Sequence, residues 1–355
     1  MFVSAQVVKP RVLLTHPSGR LRSYFGDQAL AKLRLLAQVK LNPSDHDWDT
    51  PELVLAAQGC EVLIAYRQTA LDAAFFAAVP NLLAVVRCAV DIRTIDLAAA
   101  SAQGVLVTRA SPGFAASVAE WVLGVMIDLS RHITAAALGY RTAPAVQPRM
   151  GRQLKGARLG VIGYGEIGRQ LCHLAQAFGM QVCVNDPYVR PADSTIEPLG
   201  LPDLLQQSDY VVCLAPATPE TENLINAQAL ALMKPEAYFI NAARGQLVDE
   251  DALLQALNRG QLAGAGLDVG RAADQMPSPA LAQHPLVIAT PHVGGLTPEA
   301  IAHQALETVV QTAAILRGEL PAGAVNSAQA SRVLARYAVV HSRAGDGPDS
   351  NWSAT

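Results

Sequence analysis

Charge is scarce in this sequence and nowhere concentrated. Charged residues make up 16% of the 355, the formal net charge is -3, and no basic stripe or run of like charge appears. That argues against nucleic-acid and polybasic membrane partners. Cysteine is equally sparse. Cys60, Cys88, Cys172, Cys183 and Cys213 form an odd set with no CxxC, each in or beside an apolar segment. Buried free thiols in a reducing compartment are expected from this pattern. No Cys/His pair has the spacing of zinc ligands, so no metal is expected. No stretch reaches about 18 uninterrupted apolar residues. The first residues, MFVSAQVVKPRVLLTH, lack the charged, apolar and small-residue regions of a secretory signal. A cytoplasmic protein is the expectation.

What is present is apolar and periodic. Hydrophobic residues reach 51%, and the length suits two domains of ordinary size. Short apolar runs alternate with longer helical patterns. In the first part, Arg11–Thr15, Val62–Ala65, Leu82–Val86 and Val105–Thr108 read as strands, with helices over Leu53–Gln58 and Leu71–Ala78. Apolar residues at helical spacing predict a long helix over Ala116–His132, and the Pro- and Gly-containing stretch Gly139–Gly151 reads as a connector. A second series begins at Arg158. Strands are expected at Gln181–Asn185, Tyr210–Leu214, Tyr238–Asn241, Ala263–Val269 and Val287–Ala289. Helices are expected at Glu166–Phe178, Leu201–Gln207, Glu250–Asn258 and Pro298–Arg317. This βαβ rhythm predicts parallel sheets covered by helices on both faces. Ligands in such folds sit beyond the carboxyl ends of the strands. After Asn326 the chain turns polar and reads as a mobile tail.

The segment RLGVIGYGEIG places Gly163, Gly165 and Gly168 in a GxGxxG pattern between a strand and a helix. The first glycine permits the tight turn, the second admits a pyrophosphate against the backbone, and the third lets helix pack on strand. The helix N-terminus then offers free N–H groups to phosphate. Asp186 stands at the end of the next strand, 18 residues after Gly168. A carboxylate there accepts hydrogen bonds from ribose hydroxyls and repels a 2′-phosphate, which favours NAD over NADP. Arg190 nearby keeps NADP as the lesser option.

Three further segments complete the pattern: INAARGQLVDEDALLQAL with Arg244, LAGAGLDVGRAADQMP with Asp268 and Asp274, and ATPHVGGLTPEA with His292. Together with VIGYGEIG, VVRCAVDIRTIDLAAA and SVAEWVLGVM, they resemble the D-isomer-specific 2-hydroxyacid dehydrogenases from about Leu53 to Asn326. The resemblance implies a Rossmann-type, doubly wound parallel-sheet cofactor domain (116–296). It also implies a second, flavodoxin-like α/β substrate domain made of 1–115 with 297–326, leaving 327–355 as the tail. It implies NAD bound between the two domains and a homodimer supported by the Ala116–His132 helix. The implied reaction is hydride transfer between NAD(H) and the C2 carbon of a small D-2-hydroxy or 2-keto acid.

The residue chemistry agrees with that reading. Arg244 follows an apolar strand and a small-residue turn, where a permanently charged guanidinium fork suits a carboxylate and a neighbouring keto oxygen. His292, after Pro291 and before Gly294–Gly295, is an imidazole able to exchange the C2 hydroxyl proton near neutral pH. His132, His284 and His303 lack such a setting and read as structural. Relatives pair the histidine with a glutamate in a DVFxxEP segment. Here DVGRAADQMP has Ala273 at that position, and a one-residue insertion brings Asp274 opposite it. By the resemblance, Asp268 meets the nicotinamide carboxamide, and the Glu166 and Ile167 backbone lies along the pyrophosphate. Ala215, Ala242, Ala243, Val293 and Gly294 line the nicotinamide half. RCAVDIRT stands where many relatives read RAGVGVDN, so Ala89, Val90 and Asp91 match the loop that meets the substrate carboxylate, with Val90 also near the cofactor. Asp91 replaces a glycine and opposes a second acidic group on the substrate unless Arg93 offsets it. Tyr66, Arg67 and Gln68 are candidate selectors of the substrate side chain. Two other readings share these motifs. One is a formate- or phosphite-type dehydrogenase, the formate type being marked by a Gln–His pair in place of the acid–His pair. The other is a non-enzymatic NAD(H) sensor like the related corepressors.

Overall fold

The computed structural model describes residues 9–143 and 145–336 and, of Asp274, the backbone alone. The chain divides into two compact units, Met1–Gly113 with Pro298–Thr355, and Phe114–Thr297.

The first unit opens with β1 (Arg11–Leu14), α1 (Ser18–Tyr24), α2 (Asp27–Leu36) and β2 (Gln38–Leu41). It continues with α3 (Thr50–Ala57), β3 (Val62–Ala65), α4 (Ala73–Ala78), β4 (Ala84–Arg87), α5 (Leu97–Ala102) and β5 (Leu106–Arg109). The five strands pair in parallel in the order β2-β1-β3-β4-β5, the flavodoxin-like winding. Alternation along the strands separates two cores. Val12, Leu14, Val62, Ile64, Ala84 and Val86 face one side, while Leu13, Leu63, Ala65 and Val85 face the other. Three helices start on aspartate caps: Asp49, Asp72 and Asp96 each accept a first-turn N–H.

The second unit runs α6 (Ala115–Arg131), α7 (Ile133–Thr142), β6 (Arg158–Ile162), α8 (Glu166–Ala177), β7 (Gln181–Asn185), β8 (Ile196–Pro198), α9 (Leu201–Gln207), β9 (Tyr210–Cys213), α10 (Ala227–Leu232), β10 (Tyr238–Asn241), α11 (Glu250–Asn258), β11 (Gly264–Leu267), α12 (Pro279–Ala282) and β12 (Val287–Ala289). Its strands pair in parallel in the order β12-β11-β10-β9-β6-β7-β8. Within the unit this is a Rossmann order with one further strand at the edge, and its switch point lies between β6 and β9. The chain then returns to the first unit as α13 (Pro298–Leu316), whose Ala305, Val309 and Ile315 join the core above β1, β3 and β4.

Several regions differ from the sequence expectation. Residues 18–41, left without elements, form α1, α2 and β2. β2 is an edge strand with no buried residue, so its sequence QVKL carries no continuous apolar run. β8, α10 and α12 are likewise short and were not foreseen. The expected connector begins later than Gly139, because α7 runs to Thr142 with no buried residue and so shows no core-facing stripe. The expected tail from 327 is packed as far as 336: Ala330 and Val333 are fully buried, and Arg332 donates to the carbonyls of Val79 and Leu82. Residues 337–355 lie outside the described part. All five thiols are buried and free. Burial pushes Cys88, Cys172 and Cys213 up to about 12, far from thiolate chemistry.

Candidate active site

The glycine loop sits at the switch point of the second sheet. Gly163 has φ of 97°, and a Cβ there would meet Leu214 and Ala215 backbone atoms at 2.8 Å. A Cβ on Gly168 would meet the Gly163 carbonyl at 2.4 Å, so α8 packs against the loop only through a hydrogen. Gly165 is the exception: nothing lies within 4 Å of a Cβ built there, and no side chain caps α8. The open space over Gly165, beside the first-turn N–H groups of Glu166 and Ile167, fits a pyrophosphate. Asp186, after β7, accepts from Tyr164 N at 2.8 Å, Tyr188 N at 2.9 Å and Val189 N at 3.0 Å. Burial works to raise its pKa, but these donors outweigh it and hold the carboxyl below its ordinary range. Asp186 is therefore an anion at neutral pH, fixed against the glycine loop.

Arg244, Asp268 and His292 stand on the segments following β10, β11 and β12, three neighbouring strands. The Asn241 side chain shapes the first turn. Its amide donates to the Arg244 carbonyl at 2.9 Å, and its oxygen accepts from Ala243 N at 3.0 Å. Arg244 Nη1 donates to the Ala243 carbonyl at 2.7 Å, which ties the half-buried fork to its own turn. The next residue, Gly245, lies so close to the loop after β11 that a Cβ would overlap Gly270 backbone at 2.2 Å. The β10 and β11 loops are thus in backbone contact.

Asp268 is 3% exposed and holds the β12 loop. Its Oδ1 accepts from Thr290 Oγ1 at 2.6 Å and Val293 N at 2.8 Å, and its Oδ2 from Gly294 N at 2.7 Å. Its carbonyl accepts from His292 N at 3.0 Å. His292 has φ of 55°, a left-handed conformation costing about 1 kcal/mol in a residue with a Cβ. The Asp268 clamp stabilises that conformation. Neither this clamp nor the Asn241 brace was foreseen; both join residues whose contact depends on the folded loop. The Asp274 side chain, expected beside His292, lies outside the described residues. Ala215, Ala242 and Ala243 are partly buried at the ends of β9 and β10, the first beside the glycine loop that follows β6 and the other two just before Arg244.

In the first unit, Ala89, Val90 and Asp91 follow β4 and are partly exposed. Asp91 accepts from Arg93 at both carboxylate oxygens, from Nε at 3.1 and 3.0 Å and from Nη2 at 2.7 Å. Tyr66, expected as an open selector, is 1% exposed. Arg67 and Gln68 are only partly buried. Arg87, unnoticed in the sequence, is fully buried at the end of β4 and donates to the carbonyls of Tyr66 and Thr69 and to Thr94 Oγ1. It locks the loops around Tyr66 and Ala89–Asp91 into one frame. The other histidines have structural settings. His132 ends α6 at φ 55°, His284 Nδ1 accepts from Leu286 N, and His303 meets Ser111 Oγ at 2.8 Å. The apolar residues of α6, expected to support a dimer, lie in the core of the second unit against α8. Among the described residues no group of acidic, His and Cys side chains could hold a metal, and no single helix is long and apolar enough to cross a membrane.

A glycine loop and a helix start at the switch point of a Rossmann sheet define a dinucleotide-binding α/β protein. Residues 123–294 match the D-isomer specific 2-hydroxyacid dehydrogenase, NAD binding domain, family. The chain is 38% identical over 282 residues to D-3-phosphoglycerate dehydrogenase of Mycobacterium bovis, a match covering 78% of this chain and 53% of that protein. It therefore spans about half the length of the curated relatives it matches. The TT0316 protein of Thermus thermophilus superposes with a TM-score of 0.81 at 30% identity, over 89% of this chain and 99% of that one. D-Lactate dehydrogenase from Aquifex aeolicus, solved with NAD and lactic acid, gives a TM-score of 0.72 at 27% identity, over 87% and 96% of the two chains. This chain belongs to the D-isomer specific 2-hydroxyacid dehydrogenase family.

Proposed function

We propose that this protein interconverts a small D-2-hydroxy acid and its 2-keto acid with NAD(H). The observation carrying the reading is the arrangement on β10, β11 and β12: a braced arginine, and a histidine held in a left-handed turn by a buried aspartate. The nicotinamide ring supplies or receives the hydride. Arg244 binds the substrate carboxylate and polarises the keto oxygen. His292 gives its proton to that oxygen in reduction and takes it back in oxidation. Gly165, Glu166 and Ile167 hold the pyrophosphate, and Asp186 the adenosine ribose, which favours NAD over NADP. Asp268 serves first as the clamp of the 290–294 loop, with Val293 and Gly294 presented beside the nicotinamide half. Asp274 is the carboxylate partner of His292.

The test is NADH and NADPH oxidation with glyoxylate, hydroxypyruvate, pyruvate and phenylpyruvate. Turnover with NADH is expected for at least one acid, and His292→Ala should lower kcat by two orders of magnitude or more, the scale of a lost general acid, with NADH affinity nearly intact. Tight NADH binding without turnover of any acid would favour a sensor instead. One observation favours a second reading. Gln275 sits at φ 58° with a buried amide oxygen that has no partner among the described residues. A glutamine placed for His292 would suit the formate type, so formate belongs in the panel, with phosphite beside it. We also propose a cytoplasmic homodimer joined through α7, which exposes Ile133, Leu138 and Tyr140; light scattering giving a monomer mass would refute it.

A further inference from the structure

In the second unit, the loops after β9, β10 and β11 meet on one side chain that the proposed reaction leaves unused. Arg271 follows β11 and Gly270. Its Nε donates to the Val248 carbonyl at 3.2 Å. Its Nη2 is shared among Glu222 Oε1 at 2.8 Å, Asn223 Oδ1 at 2.7 Å and the Gln246 carbonyl at 2.9 Å. Its backbone N–H donates to Glu250 Oε1 at 2.8 Å. Glu222 and Asn223 lie between β9 and α10, and Gln246 and Val248 between β10 and α11. One guanidinium therefore joins three loops. Two of them also pair through backbone: Asn223 N donates to the Gln246 carbonyl and Ile225 N to the Leu247 carbonyl, each at 2.9 Å. Arg271 closes the end of that short ladder. Asn223 stands there at φ 52°, a left-handed conformation that asparagine tolerates.

Arg244 stands just before Gly245, whose Cα faces the Gly270 backbone with no room for a Cβ. A Cβ on Gly270 would in turn meet Pro277 Cα at 2.5 Å and Glu250 Oε1 at 2.7 Å. The loop from Gly270 closes on itself, Gly270 N donating to the Gln275 carbonyl at 2.8 Å and Ala272 N to the Met276 carbonyl at 3.0 Å. Asp274 lies within it. Close packing of two glycines stops the loops from approaching further, but dispersion alone holds them together weakly. The hydrogen bonds of Arg271 supply the attraction. Its side chain is 36% exposed and that of Glu222 45%, so the ion pair adds little to global stability. What the fork fixes is geometry. We infer that Arg271 is a positioning residue: it holds the Arg244 turn against the loop bearing Asp274, and so sets where the substrate clamp stands. The inference rests on the dehydrogenase reading.

The experiment is Arg271→Gln, which removes the fork. A clamp displaced by a fraction of an ångström should lower kcat/KM for the keto acid about tenfold. The loss should fall chiefly on KM, because Arg244 holds the carboxylate in ground and transition states alike. NADH affinity should stay within about twofold, since the glycine loop after β6 is untouched, and melting within about 3 °C. Arg271→Lys should restore part of the KM, because an ammonium still bridges Glu222 and a carbonyl. A purely structural role would move melting and NADH affinity together with KM, and that result would overturn the inference, as would a KM within twofold of the parent. If Arg271→Gln does not fold, Asn223→Gly replaces it: glycine suits φ 52° and removes one acceptor. KM should then rise about threefold, part of the loss expected for the whole fork; no rise would overturn the inference. Amide hydrogen exchange reads the same hold without turnover. The Asn223 and Ile225 N–H groups should exchange about tenfold faster in Arg271→Gln, and unchanged rates would overturn it. Faster exchange in the variant of a protein that turns over no keto acid would strike the dehydrogenase reading and leave the hold of Arg271 on the loops standing.

Discussion

Replacing Asp268 by Asn removes one negative charge at the end of β11 and preserves the shape of the side chain. The better amide orientation keeps oxygen at Oδ1, still accepting from Thr290 and Val293, and sets an NH2 where Oδ2 accepts from Gly294 at 2.7 Å. One charge-assisted hydrogen bond is lost, and the buried Gly294 N–H faces another donor. The flipped amide would instead strand the Val293 N–H, since the Thr290 hydroxyl can turn to accept from the new NH2. The lost bond and the stranded donor together cost about 1.5–3 kcal/mol. In a unit spanning Phe114–Thr297, each kcal/mol lowers the melting temperature by about 2–4 °C, so calorimetry should show a drop of about 3–12 °C. The kinetic effect follows from His292, whose left-handed backbone is flanked by the clamped residues. A displacement of the imidazole by about 1 Å costs on the order of a hundredfold in rate, so kcat should fall by at least tenfold. Melting within 1 °C of the parent together with kcat within twofold would show that Asp268 does not hold the loop.

Two further outcomes follow from burial and charge. His16 titrates near 3 in the folded protein because burial opposes its charge, against about 6.5 in an unfolded chain. Between those values the unfolded chain binds the extra proton, so stability present above pH 6.5 is lost as pH falls towards 3, by up to about 5 kcal/mol in total. His16→Phe should flatten this acid limb in urea titrations from pH 7 to 4; an unchanged limb would place the acid sensitivity elsewhere. Asp274→Asn should withdraw the charge that favours the imidazolium of His292, so the pH above which keto-acid reduction declines should move down; a superimposable profile would separate Asp274 from His292.

The strands Val62–Ala65, Gln181–Asn185, Tyr238–Asn241 and Val287–Ala289 and the helices Leu201–Gln207 and Glu250–Asn258 were legible residue for residue. Most are short apolar runs or amphipathic turns bounded by glycine, aspartate or proline, where local preference and burial agree. β2 and α7 were not, because neither buries a residue and a pattern of burial is what the eye reads along a chain. The glycine motif was legible for a similar reason: a left-handed φ at Gly163 and a close approach at Gly168 admit almost no other residue.

The order of chemical groups along the chain determined, by itself, the two α/β series, the dinucleotide loop and which arginine, aspartates and histidine the proposed chemistry rests on. Tertiary structure alone decided what those groups do to one another. It turned Asp268 into a clamp on residues 22 to 26 positions away, closed Tyr66 off from solvent and laid Arg271 across the loops after β9 and β10. Local sequence constrains backbone angles and which face is apolar. Hydrogen bonds between distant loops exist only once strand order and register bring them together.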